Sequence, residues 1–279
     1  MRAARAATVV RKVASSPTGA AGLTIVISVA ILAVLGPLLA PYNPFGQEMD
    51  KRLLPPSFEH PLGTDHLGRD ILSRILYGCR VSLGAAFLVV SISATAGLLL
   101  GLISGYFGGF VDEVLMRVTD VFFAFPRLIL AMAVNAALGP GLLNTMIAVA
   151  VVSWPSYARL IRACTLQVKN ETFIEAARAL GLGHARVVFK HVLPMVIHAL
   201  IVQTTLDFGG IILLCSGLGF LGLGAPPPTP EWGLMVSEGR LYLATHWWVS
   251  TFPGLAIMIT ALGFNLLGDA LRDTLEVRL

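Results

Sequence analysis

Charged residues are scarce in this chain of 279 residues: they make up 13% of the total, whereas 56% of the residues are hydrophobic and the mean hydropathy is +0.78. Soluble globular domains carry about 25% charged residues, so this composition excludes an ordinary soluble domain and indicates a protein of the bilayer. Cysteine is scarce as well. Cys79, Cys164 and Cys215 are an odd number with no C-x-x-C spacing, which excludes a disulfide framework and a structural zinc site.

Several chemical signatures are missing from the sequence. It contains no G-x-x-x-x-G-K-[ST] loop for nucleotide phosphates and no Ser/His or H-E-x-x-H arrangement in its apolar stretches. The net charge of +4 is not gathered into a basic stripe with interleaved aromatic residues. We therefore expect no enzyme, no bound cofactor or metal and no nucleic-acid partner, and membrane lipid is the expected surrounding.

Long uncharged runs are what the sequence does have. A membrane-spanning helix needs about 20 apolar residues, and six such spans are predicted for an all-α membrane protein. They cover residues 22–40, a stretch within 81–111, a span starting near 121, then 142–158, 194–215 and 247–268. The first span is longer than the apolar region of about 7–15 residues in a signal peptide, so we expect it to be retained.

The positions of lysine and arginine predict the orientation, because cytoplasmic loops carry an excess of these residues. With both termini cytoplasmic, most of the 20 basic residues fall inside, and Arg127 is counted among them. We divide the chain into residues 1–80, with the N-terminal tail, first span and an extracytoplasmic loop, and a core of residues 81–279. The core holds five spans and a cytoplasmic loop over residues 159–195.

This cytoplasmic loop contains a short predicted helix. Thr172 and Glu175 have the T-x-x-E spacing of a capping box, and the helix is predicted from Phe173 to Leu180, with Gly181 just past its end. Phe173, Ala177 and Leu180 share one face. An isolated helix of this length is marginal in water, so we expect it to dock against another surface. An amphipathic linker lying on the membrane is the alternative.

Two polar segments are predicted outside the membrane. The first, "HPLGTDHLGRD" at residues 60–70, offers His and Asp side chains, but their spacing and the intervening glycines favour a structural turn over a metal site. The second is "GLGFLGLGAPPPTPEWG" at residues 217–233. Its glycines permit close backbone approach, and its prolines at 226–228 and 230 forbid a regular helix there.

Four motifs together carry a family resemblance: Glu175-Ala176-Ala177 with Gly181 and then Leu193-Pro194, the two outer segments, and the C-terminal "NLLGDALRDTLEVRL". The chain resembles the C-type permease subunit of dipeptide, oligopeptide and nickel importers of the ATP-binding-cassette class. His191 stands where the family has Ile, and Glu276-Val277 where it has Asp-Pro. The resemblance implies a type I importer permease fold in the bacterial inner membrane, with Thr172 and the residues of the first motif coupling the chain to an ATPase.

The resemblance also implies the partners: a B-type permease subunit, two ATP-hydrolysing subunits and an extracytoplasmic substrate-binding protein. The implied cargo is a dipeptide or oligopeptide, and a nickel or metal-chelate importer is the alternative. A stand-alone, ion-coupled transporter is a further alternative of a different class, although no internal repeat supports it.

One acidic residue, Asp207, lies deep in a predicted span. A charged side chain there is costly, so Asp207 is expected to face the protein interior or a wet pathway. Gln203 and Thr204 share its helical face and are candidate pathway residues with it. We expect Asp207 to be paired with Gln203 or with the partner permease, and direct contact with the substrate is the alternative.

Overall fold

The structure of this protein is a computed structural model. It describes residues 2–276 and the side chains of residues 8–275. Residues Val277–Leu279 of the C-terminal motif lie outside the described part. Within the described part all regular structure is helical, and the one β-contact is an isolated bridge between Thr64 and Asp70. The helices are α1 (Arg2–Ser15), α2 (Pro17–Leu39), α3 (Ile71–Phe107), α4 (Gly109–Phe123), α5 (Arg127–Leu138), α6 (Leu142–Val168), α7 (Thr172–Ala179), α8 (His184–Val187), α9 (Leu193–Phe220), α10 (Trp232–Gly239) and α11 (Trp248–Glu276).

The predicted number of six spans is not confirmed. Among the described residues, α2, α3, α11 and the continuous helix from His184 to Phe220 are long and apolar enough to cross a membrane. A fifth span is reached if the bent pair α4 and α5 is counted as one. The remaining predicted span corresponds to α6, whose 27 residues reach about 40 Å but include polar residues along its length.

The third predicted span differs most from the expectation. Instead of one continuous helix, the structure has α4 and α5, which are separated by residues 124–126 and meet at an angle of 93°. Pro126 explains the break, because a proline disfavours the helical conformation of the residue before it and cannot donate a backbone hydrogen bond. The α5 helix that follows has only 12 residues and spans about 18 Å.

The longest helix, α3, packs along α6 through a row of glycines. Gly97, Gly101 and Gly105 are buried at i, i+4 spacing on the face that meets α6. A Cβ atom at Gly101 would lie 2.6 Å from the carbonyl oxygen of Ala158, so only glycine allows the two backbones to approach this closely. Small residues at this spacing are typical of close helix packing in membranes.

The first span packs into the rest of the molecule. The α2 helix contacts both α3 and α11, and Gly22 approaches the backbone of α11 too closely for a side chain. The proposed division at residue 80 falls inside α3, and the division of the chain into residues 1–80 and 81–279 stays a prediction.

Candidate functional site

The short cytoplasmic helix predicted from the sequence is present as α7, but its start differs. Thr172 lies within the helix, Glu171 occupies the N-cap position, and no side chain caps the first turn. The predicted capping box between Thr172 and Glu175 is therefore wrong. The Glu171 carbonyl instead accepts from the backbone N–H groups of Ile174 and Glu175, at 2.9 and 3.2 Å, which leaves the Thr172 hydroxyl and the Glu175 carboxylate exposed.

The two faces of α7 are also divided differently from the prediction. Ile174 and Ala177 are the buried pair and pack within this chain, at 0% and 5% exposure. Phe173 and Leu180 are 41% and 83% exposed, so they do not share the buried face with Ala177. Ala176 is exposed between them. Phe173, Ala176 and Leu180 thus form an apolar surface, here called the α7 outer face, that no described part of the chain covers.

Polar contacts connect the end of α3 to α6, α7 and α8. The Tyr106 hydroxyl, at the end of α3, lies 3.1 Å from Nδ1 of His184, and the guanidinium of Arg178 lies 5.0 Å from the centre of the Tyr106 ring. Near the end of α6, the ammonium of Lys169 donates to the carbonyl of Gly105 at 2.8 Å. The Arg178 contact thus joins α7 to α3, the His184 contact joins α8 to α3, and the Lys169 contact joins the end of α6 to α3.

The segment after α7 bends twice before α9 begins. Gly181 has a φ of +76°, the left-handed conformation predicted for it, which glycine adopts without strain. A π-helical turn over Val188–Val192 follows, and Leu193 donates its backbone N–H to Val188. This wider turn accommodates Pro194, whose ring would clash with a regular α-helical turn before it. His191 lies in the π turn and Leu193 packs against the buried cluster beneath α7.

A second candidate site surrounds Asp207. The carboxylate oxygens of Asp207 accept from Nη1 and Nη2 of Arg127 at 3.0 and 3.3 Å, and Nη2 also donates to the Ser153 hydroxyl at 2.7 Å. The expected pairing of Asp207 with Gln203 is wrong, because Arg127 of the same chain is the partner. Bidentate contact between guanidinium and carboxylate is the strongest form of such a pair.

The position of this pair changes the assignment of Arg127. Asp207 lies near the midpoint of α9, about 20 Å from either end. Arg127 begins α5 just after the 93° bend, so the bend brings its side chain to the middle of α9 instead of to the cytoplasmic end of a span. Arg127 therefore no longer supports the count of cytoplasmic basic residues, and the cytoplasmic position of both termini stays a prediction.

The other candidate pathway residues show no contact with Asp207. Gln203 and Thr204 are half-buried on α9, and the Thr204 hydroxyl donates to the carbonyl of Ile201 at 2.8 Å. The hydroxyl thus satisfies the backbone of its own helix. Both side chains remain on a partly exposed surface near the Arg127–Asp207 pair.

The outer segment at residues 60–70 is a structural turn, as its glycines indicated. Arg69 donates from Nε to Asp65 at 2.5 Å, and Arg69 and Arg74 both reach Glu238 of α10, at 2.9 and 3.2 Å. Asp70 caps the start of α3 by accepting from the backbone of Ser73. Asp65, His66 and Glu238 have ligand atoms within 4.8 Å of one another, but both carboxylates already balance the buried arginines. This network joins the two outer segments.

The second outer segment is more helical than predicted. The α9 helix continues to Phe220 and so includes Gly217 and Gly219. The absence of regular helix predicted at the prolines is confirmed, because no helix is present between Phe220 and the start of α10. Glu231 is buried at the start of α10 and accepts from the backbone N–H groups of Gly233 and Leu234, both at 2.8 Å. Burial raises the pKa of the Glu231 carboxyl, and these two hydrogen bonds oppose the rise.

Three residues with structural contacts were not recognised from the sequence. Arg127 was counted as a cytoplasmic charge, His184 was given no role, and Tyr106 was not considered. The proline before Arg127 was the available signal, since it predicts a break that could carry the following charge into the span. The partner of His184 could not be inferred, because Tyr106 lies 78 residues away in the chain.

The comparison with known families and proteins agrees with this architecture. Residues 97–279 match the family described as binding-protein-dependent transport system inner membrane component, and residues 6–56 match the N-terminal transmembrane domain of oligopeptide transport permease C. The chain is similar to the dipeptide transport system permease protein of Alkalihalophilus pseudofirmus, with 44% identity covering 92% of this chain and 85% of the relative. It is also similar to the nickel transport system permease protein of Escherichia coli, with 42% identity covering 92% and 93%.

A solved structure shares the fold. A chain of the inward-facing MetNI methionine ABC transporter superposes with a TM-score of 0.58 at 20% identity, covering 72% of this chain and 95% of that chain. Permease subunits of this kind do not catalyse ATP hydrolysis, which partner ATPases perform, and they work with a substrate-binding protein. The stand-alone transporter is thereby set aside. The chain belongs to the family of binding-protein-dependent permeases, the multi-pass inner-membrane subunits of bacterial ATP-binding-cassette importers.

Proposed function

We propose that this chain forms half of the translocation pathway of an importer for dipeptides or oligopeptides. A B-type permease subunit forms the other half, and α7 couples the pair to the ATPases. The observation that carries the proposal is the α7 outer face. Phe173 and Leu180 are exposed on it, although the opposite face of α7 packs against its own chain. Exposed apolar residues grouped on a rigid helix are typical of a protein interaction site.

Different residues of α7 hold the helix to its own chain and bind the ATPase. Ile174 and Ala177 fix α7 to its own chain, while Phe173, Ala176 and Leu180 meet the ATPase. Thr172 and Glu175 are exposed near the start of α7 and supply polar contacts at the rim of this surface. Polar rims around apolar centres are the usual anatomy of protein interfaces.

Movement of α7 passes to the spans in two directions. Toward the N-terminus it reaches α6, and the contact between Tyr106 and His184 extends it to α3. Toward the C-terminus it passes through Gly181 and the π turn to Leu193 and Pro194, where α9 begins. Closure of the ATPases on binding ATP thus tilts α6 and α9 together and switches the pathway between inward-open and outward-open states.

The Arg127–Asp207 pair supports placing the pathway beside α5 and α9. A guanidinium whose side chain is 34% exposed at mid-depth cannot face hydrocarbon without a large cost. The exposed side of this pair, with Gln203 and Thr204 nearby, therefore faces the pathway or the B-type subunit. Peptide cargo follows from the relatives, several of which are named as transporters of dipeptides.

Copurification of the ATPase tests the coupling role of α7. The chain is produced with its B-type permease and ATPase subunits, and Phe173 and Leu180 are both changed to Asp. We expect the double variant to reach the membrane at the normal level but to lose the ATPase during purification in mild detergent. Transport driven by the binding protein should be lost with it.

Leu241→Asp is the matched control. Leu241 is 81% exposed and lies between α10 and α11, at the end of the molecule away from α7, so an acidic residue there should leave the ATPase bound. Retention of the ATPase and full transport by the Phe173→Asp/Leu180→Asp variant would overturn the coupling role. Loss in the control as well would show that any exposed charge disrupts the complex.

A further inference from the structure

Resting on the proposed function, we infer that Arg127 contacts the carboxylate of the cargo in the translocation pathway, so that the pathway selects peptides with a free carboxylate over bare divalent metal cations. The inference starts from the unequal exposure of the pair. The Arg127 side chain is 34% exposed, whereas that of Asp207 is 11% exposed. A ligand that approaches the surface beside α5 and α9 therefore meets the Arg127 guanidinium before the Asp207 carboxylate.

The hydrogen-bonding capacity of Arg127 supports a ligand. A guanidinium has five N–H donors, and Asp207 and Ser153 use three of them in the contacts described above. Nε is buried and has no partner among the described residues. One N–H of Nη1 is not used in these contacts, and the side chain as a whole is 34% exposed, so a second carboxylate can accept from it.

The backbone around Arg127 adds to the positive potential. Arg127 is the first residue of α5, and Pro126 at the N-cap position provides no side-chain cap. The first N–H groups of a helix lack partners within the helix, and the positive end of the helix dipole favours an anion. Asp207 balances the guanidinium when the pathway is empty, so the site can hold a charge at mid-depth without a resident ion.

The same geometry disfavours a metal cation. A divalent ion approaching Asp207 would meet the more exposed guanidinium of Arg127 and the positive end of α5. Like charges at such distances repel strongly where water is scarce. A peptide carboxylate finds two favourable partners at the same place. Asp207 therefore acts as the balancing charge for Arg127 rather than as a metal ligand.

Import of a dipeptide and of its C-terminal amide tests this inference. The full importer, with both permeases, the ATPases and the binding protein, is reconstituted in proteoliposomes, and alanyl-alanine is compared with alanyl-alanine amide at saturating binding protein. The Arg127→Gln/Asp207→Asn variant keeps a hydrogen-bonded pair without charge. We expect its ratio of import rates, free dipeptide over amide, to fall about tenfold below wild type. A charged hydrogen bond is roughly twice as strong as a neutral one, and the difference of about 1.4 kcal/mol corresponds to a factor of ten.

The control is Arg159→Gln/Asp120→Asn, which neutralises an exposed ion pair of 2.7 Å between α4 and α6 and should leave the ratio unchanged. The binding protein is the same throughout, so a change in the ratio belongs to the permease. If the neutral variant fails to assemble, Arg127→Asp/Asp207→Arg serves instead. It keeps one charge of each sign and places the acid on α5, which should also lower the ratio.

An unchanged ratio in an active Arg127→Gln/Asp207→Asn or Arg127→Asp/Asp207→Arg complex would overturn the inference. Failure of the proposed function is distinguishable, because the wild-type complex would then show no ATP hydrolysis stimulated by the binding protein with either peptide. A ratio that changes equally in the Arg159→Gln/Asp120→Asn control would also contradict a specific role for Arg127.

Discussion

Buried arginines in this protein are paired with carboxylates, and there is little surplus negative charge around them. Arg69 and Arg74 are each 1% exposed in their side chains, and they share Glu238 between them. Asp65 supplies the second negative charge to Arg69. Asp65 also lies 3.6 Å from Nε of Arg74, so both arginines share both carboxylates. Loss of the Glu238 charge would leave two buried cations with a single carboxylate.

Glu238→Gln should therefore lower the stability of the outer segments. The change leaves an amide that accepts hydrogen bonds but does not balance charge, and removing one partner of a buried pair costs about 3–5 kcal/mol. We expect a clear drop in the thermal unfolding midpoint in detergent and faster proteolysis of residues 41–70. Glu113→Gln is the control, because its pair with Arg117 at 3.8 Å is exposed and should contribute little. Equal midpoints for the two variants would contradict this account of the network.

Single residues were the hardest scale to predict from the sequence. The costly acid at Asp207 was recognised from the apolar residues around it, but its partner depends on a bend 80 residues earlier in the chain. Gly181 was predicted correctly because its conformation is set locally by the end of α7. Thr172 was placed wrongly, since Glu171 competes for the same cap position and the tertiary contacts of Ile174 decide between them.

Among the elements, α3 and α6 are the closely packed central pair of helices, and α7 is attached to this pair. Their glycine-mediated contact is supported at the end nearest α7 by Asp112 of α4, which pairs with Arg162 of α6 at 2.5 Å and accepts from Ser104 of α3. The bent pair α4 and α5 is thereby attached to the same central pair. Any displacement of α7 is consequently passed on by packed helices instead of being lost in a flexible loop.

Gly101→Leu should disrupt this contact. A leucine at Gly101 would push against the backbone of Ala158 and the Cβ of Ile161, at 2.6 and 2.8 Å, and neither can move without shifting α6. Overpacking commonly costs about 1–3 kcal/mol, and rigid backbone neighbours favour the upper end. We expect a lower unfolding midpoint and reduced yield. Gly84→Leu on the same helix is the control, since no atom lies within 4 Å of a Cβ there. An equal effect of both changes would argue against close packing at Gly101.

Helices as elements were largely predictable, because long apolar runs determine α2, α3, α9 and α11 locally. The bend between α4 and α5 was not, although Pro126 marked it, since hydropathy alone cannot distinguish a continuous span from a broken one. The division of α7 into a buried and an exposed face was predicted wrongly for a similar reason. Phe173 and Leu180 are apolar enough for either face, and Ile174 contacts residues distant in the sequence.

At the scale of the whole molecule, the chain has two ends with different properties. One end carries the rigid, charge-balanced network of the outer segments, and the other carries α7 with an uncovered apolar surface. Between them, the Arg127–Asp207 pair lies at mid-depth on a partly exposed face. This arrangement suits a subunit that receives cargo at one end and mechanical work at the other.

Site-specific photocrosslinking tests the central claim, that α7 is where ATPase motion enters this chain. A benzophenone side chain replaces Phe173, which is 41% exposed, in the complete and transport-competent complex. A matched position is Phe58, which precedes the outer segment at residues 60–70 and is fully exposed at 109%. We expect illumination to join the chain to the ATPase from position 173 and never from position 58. A transport-active complex that gives no ATPase adduct from position 173, or gives one from position 58, would contradict the account.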